Sequence, residues 1–378
     1  MRQIARIIST YSADVFGVCS ALFELGGMII MHDASGCNST YTTHDEPRWY
    51  DMDSMVYISG LTEMEAIMGD DEKLIGDIVA AAEDLKPAFI AVAGTPIPAM
   101  TGFDYESVAS LIEQRTGIPA FGFATTGMTT YVTGADMAFE AYARRFVLRN
   151  VEKTEKPSAN ILGLTPLDFT VNGTDAAIKE FLENSGFDVI SGWAMGSTPE
   201  ELKQAGKAHV NLVVSSTGLS VAKALKELFG TPYVVGVPYG RKAADKISKL
   251  LSRAVETGED QIDWYSTDGE ETVLIGEGVT AVSLAQAIEM ETGRGVKVLC
   301  ATEFDEALLR EKDCLVQDEE EIEAVLAGAR VMIADPLYKP ICPPGVQFVP
   351  LPAEAFSGRI YRNEIPNLVL GLEDWLKK

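Results

Sequence analysis

The chain contains 378 residues, 47% of them hydrophobic, and carries a formal net charge of −25 at pH 7. Its length exceeds what one ordinary core holds and predicts two or three domains. The acidic balance excludes binding to nucleic acid through a basic face, and the sequence has no apolar stretch of about 18 residues to span a membrane. Because no basic and apolar leader opens the sequence either, we expect a cytoplasmic protein.

The first part of the chain alternates apolar strands with helical patterns, which is typical of a doubly wound parallel sheet. Its apolar run 28–32 resembles a buried parallel strand and ends in a turn of small residues at 33–38. Further strands are predicted at 55–58, 88–93 and 120–124, with helices at 13–25, 73–85 and 105–115.

The charged stretch 152–158 ends with proline and lacks apolar periodicity, so it is predicted to be a linker. Two further α/β units follow, with strands predicted at 160–164, 188–191, 210–215, 233–236, 273–275, 296–301 and 331–334, and helices at 174–184, after Thr198, and at 219–229, 282–291 and 318–327. We therefore predict an α/β fold of three Rossmann-like domains with parallel sheets. Their expected bounds are 1–155, 156–268 and 269–378, the last with a C-terminal helical extension.

Nucleotide and hydrolase motifs are missing from the sequence. It contains neither a GxxxxGK[ST] phosphate loop nor a convincing GxGxxG motif, so we expect that this chain binds no ATP. Only three histidines occur, His32, His44 and His209, and no GxSxG motif accompanies them. This disfavours a hydrolase triad.

The five cysteines include no CxxC pair, so neither a zinc ribbon nor a disulfide framework is indicated. Cys37 stands out because it follows Gly36 at the carboxyl end of strand 28–32, where α/β proteins bind ligands. The missing Cβ of Gly36 lets backbone amides approach an anion or a cluster sulfide, and thiolates of this kind hold iron–sulfur clusters. The alternative is an ordinary free thiol. Cys19, on helix 13–25, is either a second ligand or a small apolar core residue.

Two cysteines cannot complete a four-thiolate site, but a symmetric dimer would supply each of them twice. His32 precedes the turn and either donates a hydrogen bond to a cluster or substrate or is a satisfied strand-end histidine. Asp14 is either an oxygen ligand or a helix cap. Asp33, Asp45 and Glu46 are expected to be solvated.

Several segments, in order along the chain, resemble nitrogenase component 1 proteins and the related light-independent protochlorophyllide reductases. The first runs from Tyr11-Ser12-Ala13-Asp14 to His32-Asp33-Ala34-Ser35-Gly36-Cys37. Further similar segments lie at 61–69, 86–92, 102–104, 160–163 and 228–232. The resemblance extends through nearly the whole chain, and it also implies three Rossmann-like domains.

Carried over by position, Cys37 falls on the family's second cluster-ligand position. The first position holds Ala13, with Cys19 as a displaced candidate, and Gly94-Thr95-Pro96-Ile97 replaces the Cys-Pro turn of the third. Two positions of the family's molybdenum cofactor also differ, with Val214-Ser215-Ser216 in the region of its ligand cysteine and Pro352 in that of its histidine. The resemblance thus implies a [4Fe–4S] cluster, and neither an iron–molybdenum cofactor nor dinitrogen reduction.

The resemblance implies a nitrogenase-like oxidoreductase component whose interface [4Fe–4S] cluster is held by Cys37 and Cys19, with Gly36 and His32 beside it. It further implies a homodimer or a heterodimer with a homologous subunit, electrons from an ATP-hydrolysing iron protein, and reduction of an unidentified small molecule. The competing interpretation is a non-catalytic scaffold or carrier for metallocofactor assembly, or a family member without a cluster. A solute-binding α/β protein is disfavoured because no export signal is visible.

Overall fold

A computed structural model describes residues 6–34, 36 and 38–377 of the chain. Within these residues the strands form three separate sheets of four, four and five strands, and every strand pair is parallel. The predicted α/β fold with three Rossmann-like parallel sheets is therefore confirmed.

The first sheet is built on a short, fully apolar strand whose four side chains are all buried. Such a run is typical of a parallel strand covered by helices on both faces. The strands of this sheet are β1 (Met28–Met31), β2 (Met55–Ile58), β3 (Ile90–Ala93) and β4 (Ala120–Phe123), in the order β2-β1-β3-β4. Its helices are α1 (Asp14–Leu22), α2 (Glu63–Met68), α3 (Asp71–Leu85), α4 (Pro96–Thr101), α5 (Tyr105–Thr116) and α6 (Tyr131–Phe146).

The second sheet repeats the same strand order. Its strands are β5 (Ser158–Leu164), β6 (Asp188–Ala194), β7 (Val210–Val213) and β8 (Tyr233–Val235), in the order β6-β5-β7-β8. The helices of this part are α7 (Pro166–Phe169), α8 (Thr174–Asn184), α9 (Pro199–Lys203), α10 (Leu219–Phe229) and α11 (Gly240–Thr257).

The third sheet adds one short edge strand to this pattern. Its strands are β9 (Thr272–Gly276), β10 (Val296–Cys300), β11 (Cys314–Leu315), β12 (Val331–Ala334) and β13 (Gln347–Pro350), in the order β11-β10-β9-β12-β13. The helices are α12 (Gly278–Thr292), α13 (Glu319–Leu326), α14 (Glu354–Ser357) and α15 (Leu368–Trp375). Among the described residues, no helix is both long and apolar enough to cross a membrane.

Two glycines allow helices α1 and α6 to pack backbone against backbone. A Cβ on Gly17 would lie 1.9 Å from the Tyr131 carbonyl oxygen, and one on Gly134 would lie 1.9 Å from the Asp14 carbonyl oxygen. Any larger residue would push the two helices apart. This close crossing fixes the start of α6, and with it Tyr131, relative to the first sheet.

Each sheet has one switch point, where the chain leaves two neighbouring strands in opposite directions. These points lie between β1 and β3, between β5 and β7, and between β9 and β12. Ligands of open α/β sheets bind outside the carboxyl ends of the strands at such points. The residues that follow these six strands are therefore the first place to look for a functional site.

Candidate functional site

The turn after β1 lies at the switch point of the first sheet. Cys37, the predicted cluster ligand, lies outside the described residues, as does Ser35. Residues before, between and after them are described. The surroundings of the predicted ligand can therefore be examined through His32, Asp33 and Asn38.

Asp33 holds the two sides of this turn together. One of its carboxylate oxygens accepts a hydrogen bond from the Ala34 amide at 2.8 Å, and the other accepts one from the Asn38 side-chain amide at 2.9 Å. Asp33 is buried, so the expectation that it is solvated is wrong. It serves to close the turn that contains Cys37, because local donors in the turn satisfy its carboxylate.

His32 is a buried neutral imidazole beside the same turn. Its Nδ1 lies 2.9 Å from the Ser59 hydroxyl, and its ring packs on Phe103 with 4.4 Å between ring centroids. Burial lowers the pKa of His32 to about 4, although the charge of Glu65 acts in the opposite direction. At neutral pH His32 therefore offers hydrogen bonding without charge.

Gly36 is exposed, and a Cβ added to it would meet no atom of the other described residues within 4 Å. Among the described residues, nothing therefore requires glycine at position 36. A requirement for glycine here would have to come from a group that approaches the turn from outside.

Cys19 and Asp14 are both buried in the interior of the chain. Cys19 is fully buried on α1, and burial, reinforced by the charge of Glu46, raises the pKa of its thiol. A ligand shared with a second chain must be reachable at the surface, so the full burial of Cys19 favours the small core residue. Asp14 is neither a free oxygen ligand nor the cap of α1, whose N-cap residue is Ala13. Its carboxylate accepts hydrogen bonds from the amides of Thr126 and Gly127, in the loop after β4, at 2.9 and 2.8 Å.

Asp45 and Glu46 were also expected to be solvated, and both are buried. The two carboxylate oxygens of Glu46 accept hydrogen bonds from the Arg48 backbone amide and guanidinium, at 2.6 and 2.8 Å. The same guanidinium reaches Glu24 at 3.0 Å. These are structural ion pairs. Among residues 6–34, 36 and 38–377, no group of three or more His, Cys, Asp or Glu side chains is placed to hold a metal ion.

A second candidate site is a small, partly open cavity of about 80 Å³ between the second and third sheets. It lies at the carboxyl ends of β5, β9 and β12 and is also bordered by Tyr131 at the start of α6. Pro352, at the position where the resemblance places a cofactor histidine, lines this cavity.

Asp168 is the most perturbed carboxylate of the cavity. It accepts hydrogen bonds from the hydroxyls of Tyr131 and Thr165, the latter at 2.8 Å. Burial, and then the charge of Glu277, raise the pKa of Asp168 to about 7 in spite of these hydrogen bonds. Its carboxyl group can therefore hold or release a proton near neutral pH.

Glu277 links the second and third sheets at the edge of the cavity. One carboxylate oxygen accepts hydrogen bonds from the Ser216 amide at 3.0 Å and from the Ser216 hydroxyl. The same side chain caps α12 through the amides of Val279 and Thr280, at 3.0 and 2.9 Å. Ser216 belongs to the segment that the resemblance compares with the cofactor-ligand region. This segment contacts the cavity residue Glu277 but does not itself line the cavity.

The acidic residues of this cavity were not predicted as site residues from the sequence. A signal for them exists, because Glu277 and Asp335 each follow directly after a strand, β9 and β12, and Asp168 follows β5 by one short turn. A carboxylate at the end of a predicted parallel strand is a candidate site residue. Bringing the three together, however, requires that the separate sheets first be placed relative to one another.

Known proteins resemble this chain along most of its length. A profile described as nitrogenase component 1 type oxidoreductase matches residues 14–335. A light-independent protochlorophyllide reductase protein of Leptolyngbya boryana is 29% identical over 201 residues, covering 44% of this chain and 39% of that protein. The nitrogenase iron-molybdenum cofactor biosynthesis protein NifE of Klebsiella pneumoniae is 26% identical over 257 residues, covering 65% of this chain and 54% of that protein.

Solved structures agree on the fold. Nitrogenase Cp1 at pH 6.5 aligns over 100% of this chain and 93% of that one, with a TM-score of 0.70 and 19% identity. The matched part is about half, or less, of the length of the curated relatives. The family match covers most of this chain. The chain belongs to the nitrogenase component 1 type oxidoreductase family.

Proposed function

We propose that this chain is a nitrogenase-like oxidoreductase component that carries a [4Fe–4S] cluster at an interface between two chains and reduces a small molecule. Electrons would arrive from a separate ATP-hydrolysing iron protein. The observation that carries this proposal is the position of the Cys37 turn. It follows β1 at the switch point of a sheet of the family's fold, and Asp33 closes it.

Of the two predicted ligands, Cys37 follows β1 along the chain, whereas Cys19 is buried in the core. Two copies of this chain would supply only two Cys37 thiolates. A [4Fe–4S] cluster would therefore need its remaining ligands from a homologous subunit or from non-cysteine side chains of a second copy. When bound, an iron–sulfur cluster supplies one-electron transfer.

The residues around Cys37 have separate roles in this proposal. Asp33 and Asn38 hold the turn in shape, and Gly36 leaves open space for an approaching group. His32, oriented by Ser59, offers a neutral hydrogen bond beside the turn. Because burial lowers its pKa to about 4, His32 adds no positive charge at neutral pH.

The substrate would lie in the cavity beside Asp168. The lining of that cavity is largely apolar, which suits the apolar body of a small molecule. Asp168, whose pKa lies at about 7, can supply a proton to a group that is being reduced there. We propose Asp168 as the proton donor, with Tyr131 holding its carboxyl group in place.

The test is anaerobic purification and cluster reconstitution, followed by iron and acid-labile sulfide analysis and measurement of molar mass in solution. A cluster shared by two chains predicts a dimer with about two iron atoms per chain. A dimer that remains colourless and contains negligible iron after reconstitution would contradict the redox function.

The extent of one sequence match favours a second function. The match to a cofactor biosynthesis protein covers 65% of this chain, against 44% for the reductase protein. The chain would then be a carrier or scaffold in metallocofactor assembly. A carrier releases its iron and sulfide to an apo-ferredoxin within minutes of mixing, whereas an oxidoreductase keeps its cluster through repeated reduction by dithionite and reoxidation.

A further inference from the structure

The cavity between the second and third sheets has an unusual charge. Three carboxylates line it, those of Asp168, Glu277 and Asp335, and its described lining contains no lysine, arginine or histidine. The side chains of Glu277 and Asp335 are buried, and that of Asp168 is partly buried. Buried carboxylates are costly unless a positive charge or a sufficient set of donors compensates them.

Neutral donors alone hold these carboxylates. Asp335 accepts hydrogen bonds from the amides of Leu337 and Ala353, at 2.9 and 2.8 Å, and from the Ser357 hydroxyl at 2.9 Å. Asp168 and Glu277 are likewise bound by hydroxyl and amide groups. Across the described part of the chain, none of the three forms an ion pair with a basic side chain. Their charges are therefore solvated by dipoles but not neutralised.

Tyr239 supplies an independent sign of a ligand. Its side chain is 8% exposed, it lines the same cavity, and its hydroxyl has no hydrogen-bond partner among the described residues. The charges of Asp168 and Glu277 reach it and, together with burial, raise its pKa. The hydroxyl oxygen is not closed off inside the protein, so it is available to a polar group of a molecule in the cavity.

Aromatic rings complete the lining. Tyr131, Phe169, Tyr239 and Phe356 border the cavity together with aliphatic side chains. Aromatic faces attract organic cations, and they do so more strongly where water is excluded. The same rings accept the apolar body of a ligand.

We propose that this cavity selects an organic cation, a molecule with an apolar body and an ammonium or similar positively charged group. The cation would compensate the three carboxylates, and an ammonium would donate a hydrogen bond to the Tyr239 hydroxyl. An anion of the same shape would face three like charges in a low-dielectric space. The inference rests on the proposed function only in naming this molecule as the substrate, since binding itself requires no electron transfer.

Three probes of the same size and different charge test the proposal: 2-phenylethylammonium, 2-phenylethanol and phenylacetate. Titration calorimetry on the full chain at pH 8, where Asp168 is largely ionised, gives the three affinities. We expect the ammonium to bind at least tenfold more tightly than the alcohol, and phenylacetate to bind more weakly still. Phenylacetate or the alcohol binding as tightly as the ammonium, or no binding of any probe, would overturn the proposal.

Two variants assign the binding to this cavity. Asp168→Asn removes one charge and is expected to weaken ammonium binding about tenfold while leaving the alcohol unchanged. Tyr239→Phe keeps the ring and loses only an unpartnered hydroxyl, so it keeps the fold and is expected to weaken ammonium binding about threefold. Glu72→Gln, on the exposed surface, controls for general attraction of cations to an acidic protein. Ammonium affinity that falls equally in all three variants, or in none, would contradict the assignment.

These experiments test the binding of an organic cation separately from the proposed redox function. Iron content and dimer formation depend on Cys37 and are measured without the probes. A chain that binds iron but shows no preference for the ammonium would refute the cation inference alone. A chain that shows the charge preference but never holds iron would refute the redox function alone.

Discussion

The Tyr131 hydroxyl donates a hydrogen bond to the Asp168 carboxylate, and this contact joins helix α6, which follows the first sheet, to the short helix α7, which follows β5 in the second. Both residues line the cavity. The packing of the first sheet therefore positions a titratable group of the cavity between the other two. Several measurable consequences follow from this and from related contacts.

Replacing Tyr131 with phenylalanine removes one donor from a buried carboxylate and keeps the ring packing. We expect the free energy of unfolding to fall by about 1–2 kcal/mol, and to fall more at pH 8 than at pH 5.5, because the lost hydrogen bond favours the ionised form of Asp168. Urea unfolding at both pH values measures this. Tyr265→Phe, at an exposed position, is the control, and equal losses for the two variants would refute the prediction.

The raised pKa of Asp168 also predicts that the stability of the chain depends on pH. Burial raises its pKa from 3.8 to about 7, so the folded chain holds this proton more tightly than the unfolded chain does. The contribution of Asp168 to stability is therefore greatest below about pH 4 and is lost as the pH rises to about 7.

We expect Asp168→Asn to remove this dependence. As the pH rises from 4.5 to 7.5, the free energy of unfolding of the wild type should fall relative to that of the variant by at least about 1 kcal/mol. Asp84→Asn, at an exposed position, should show no such change. Parallel pH curves for the wild type and Asp168→Asn would contradict the raised pKa.

Gly134 permits the close crossing of α1 and α6. Because an added Cβ would lie 1.9 Å from the Asp14 carbonyl oxygen, we expect Gly134→Ala to destabilise the chain by about 1–3 kcal/mol or more. Gly76→Ala is a matched control in the exposed middle of α3, where a Cβ meets no atom within 4 Å. It should stabilise by about 0.5–1 kcal/mol. Thermal unfolding distinguishes the two, and a tolerated Gly134→Ala would show that the helices are not in backbone contact.

Arg48 balances the buried carboxylate of Glu46 and the partly buried carboxylate of Glu24. Replacing it with methionine leaves Glu46 buried and unpaired, so we expect a loss of about 3–5 kcal/mol of stability. Arg115→Met breaks an exposed pair with Glu72 and should cost at most about 1 kcal/mol. Chemical unfolding measures both, and losses of similar size would contradict a buried ion pair.

The sheets could be predicted from the sequence because local patterns determine them. The run Met28–Met31 is apolar throughout, and helices such as Leu219–Phe229 and Tyr105–Thr116 end at glycines with left-handed backbone. The predicted strands agree with the structure to within a few residues. Strands β11 and β13 and several helices, among them α6 and α11, were not predicted. The charged and apolar residues of Gly240–Thr257 alternate with helical period and would have indicated α11.

The roles of acidic side chains could not be predicted in the same way. Whether Asp33 or Glu46 is solvated depends on partners such as Asn38 and Arg48, and on the packing that buries them. Likewise, Asp14 finds its partners at Thr126 and Gly127, which are distant in sequence. A single sequence gives the charge of each residue but not the tertiary contacts that bury or satisfy it.

The cavity depends on tertiary structure even more strongly. Its residues come from the ends of strands in two sheets and from one helix of the remaining region, so it exists only after the sheets are packed together. By contrast, the predicted Cys37 site is one continuous segment, so the sequence alone is enough to propose it. Local sites are visible in sequence, whereas sites between domains require the fold.

The most direct test of the central claim compares Cys37→Ser with Cys19→Ser and Cys342→Ser, each reconstituted anaerobically and examined by electron paramagnetic resonance after reduction with dithionite. We predict that the wild type, Cys19→Ser and Cys342→Ser give a reduced iron–sulfur signal of equal intensity per iron atom bound. We further predict that Cys37→Ser binds little iron and gives no such signal. A full signal and full iron content in Cys37→Ser would contradict the proposed cluster site.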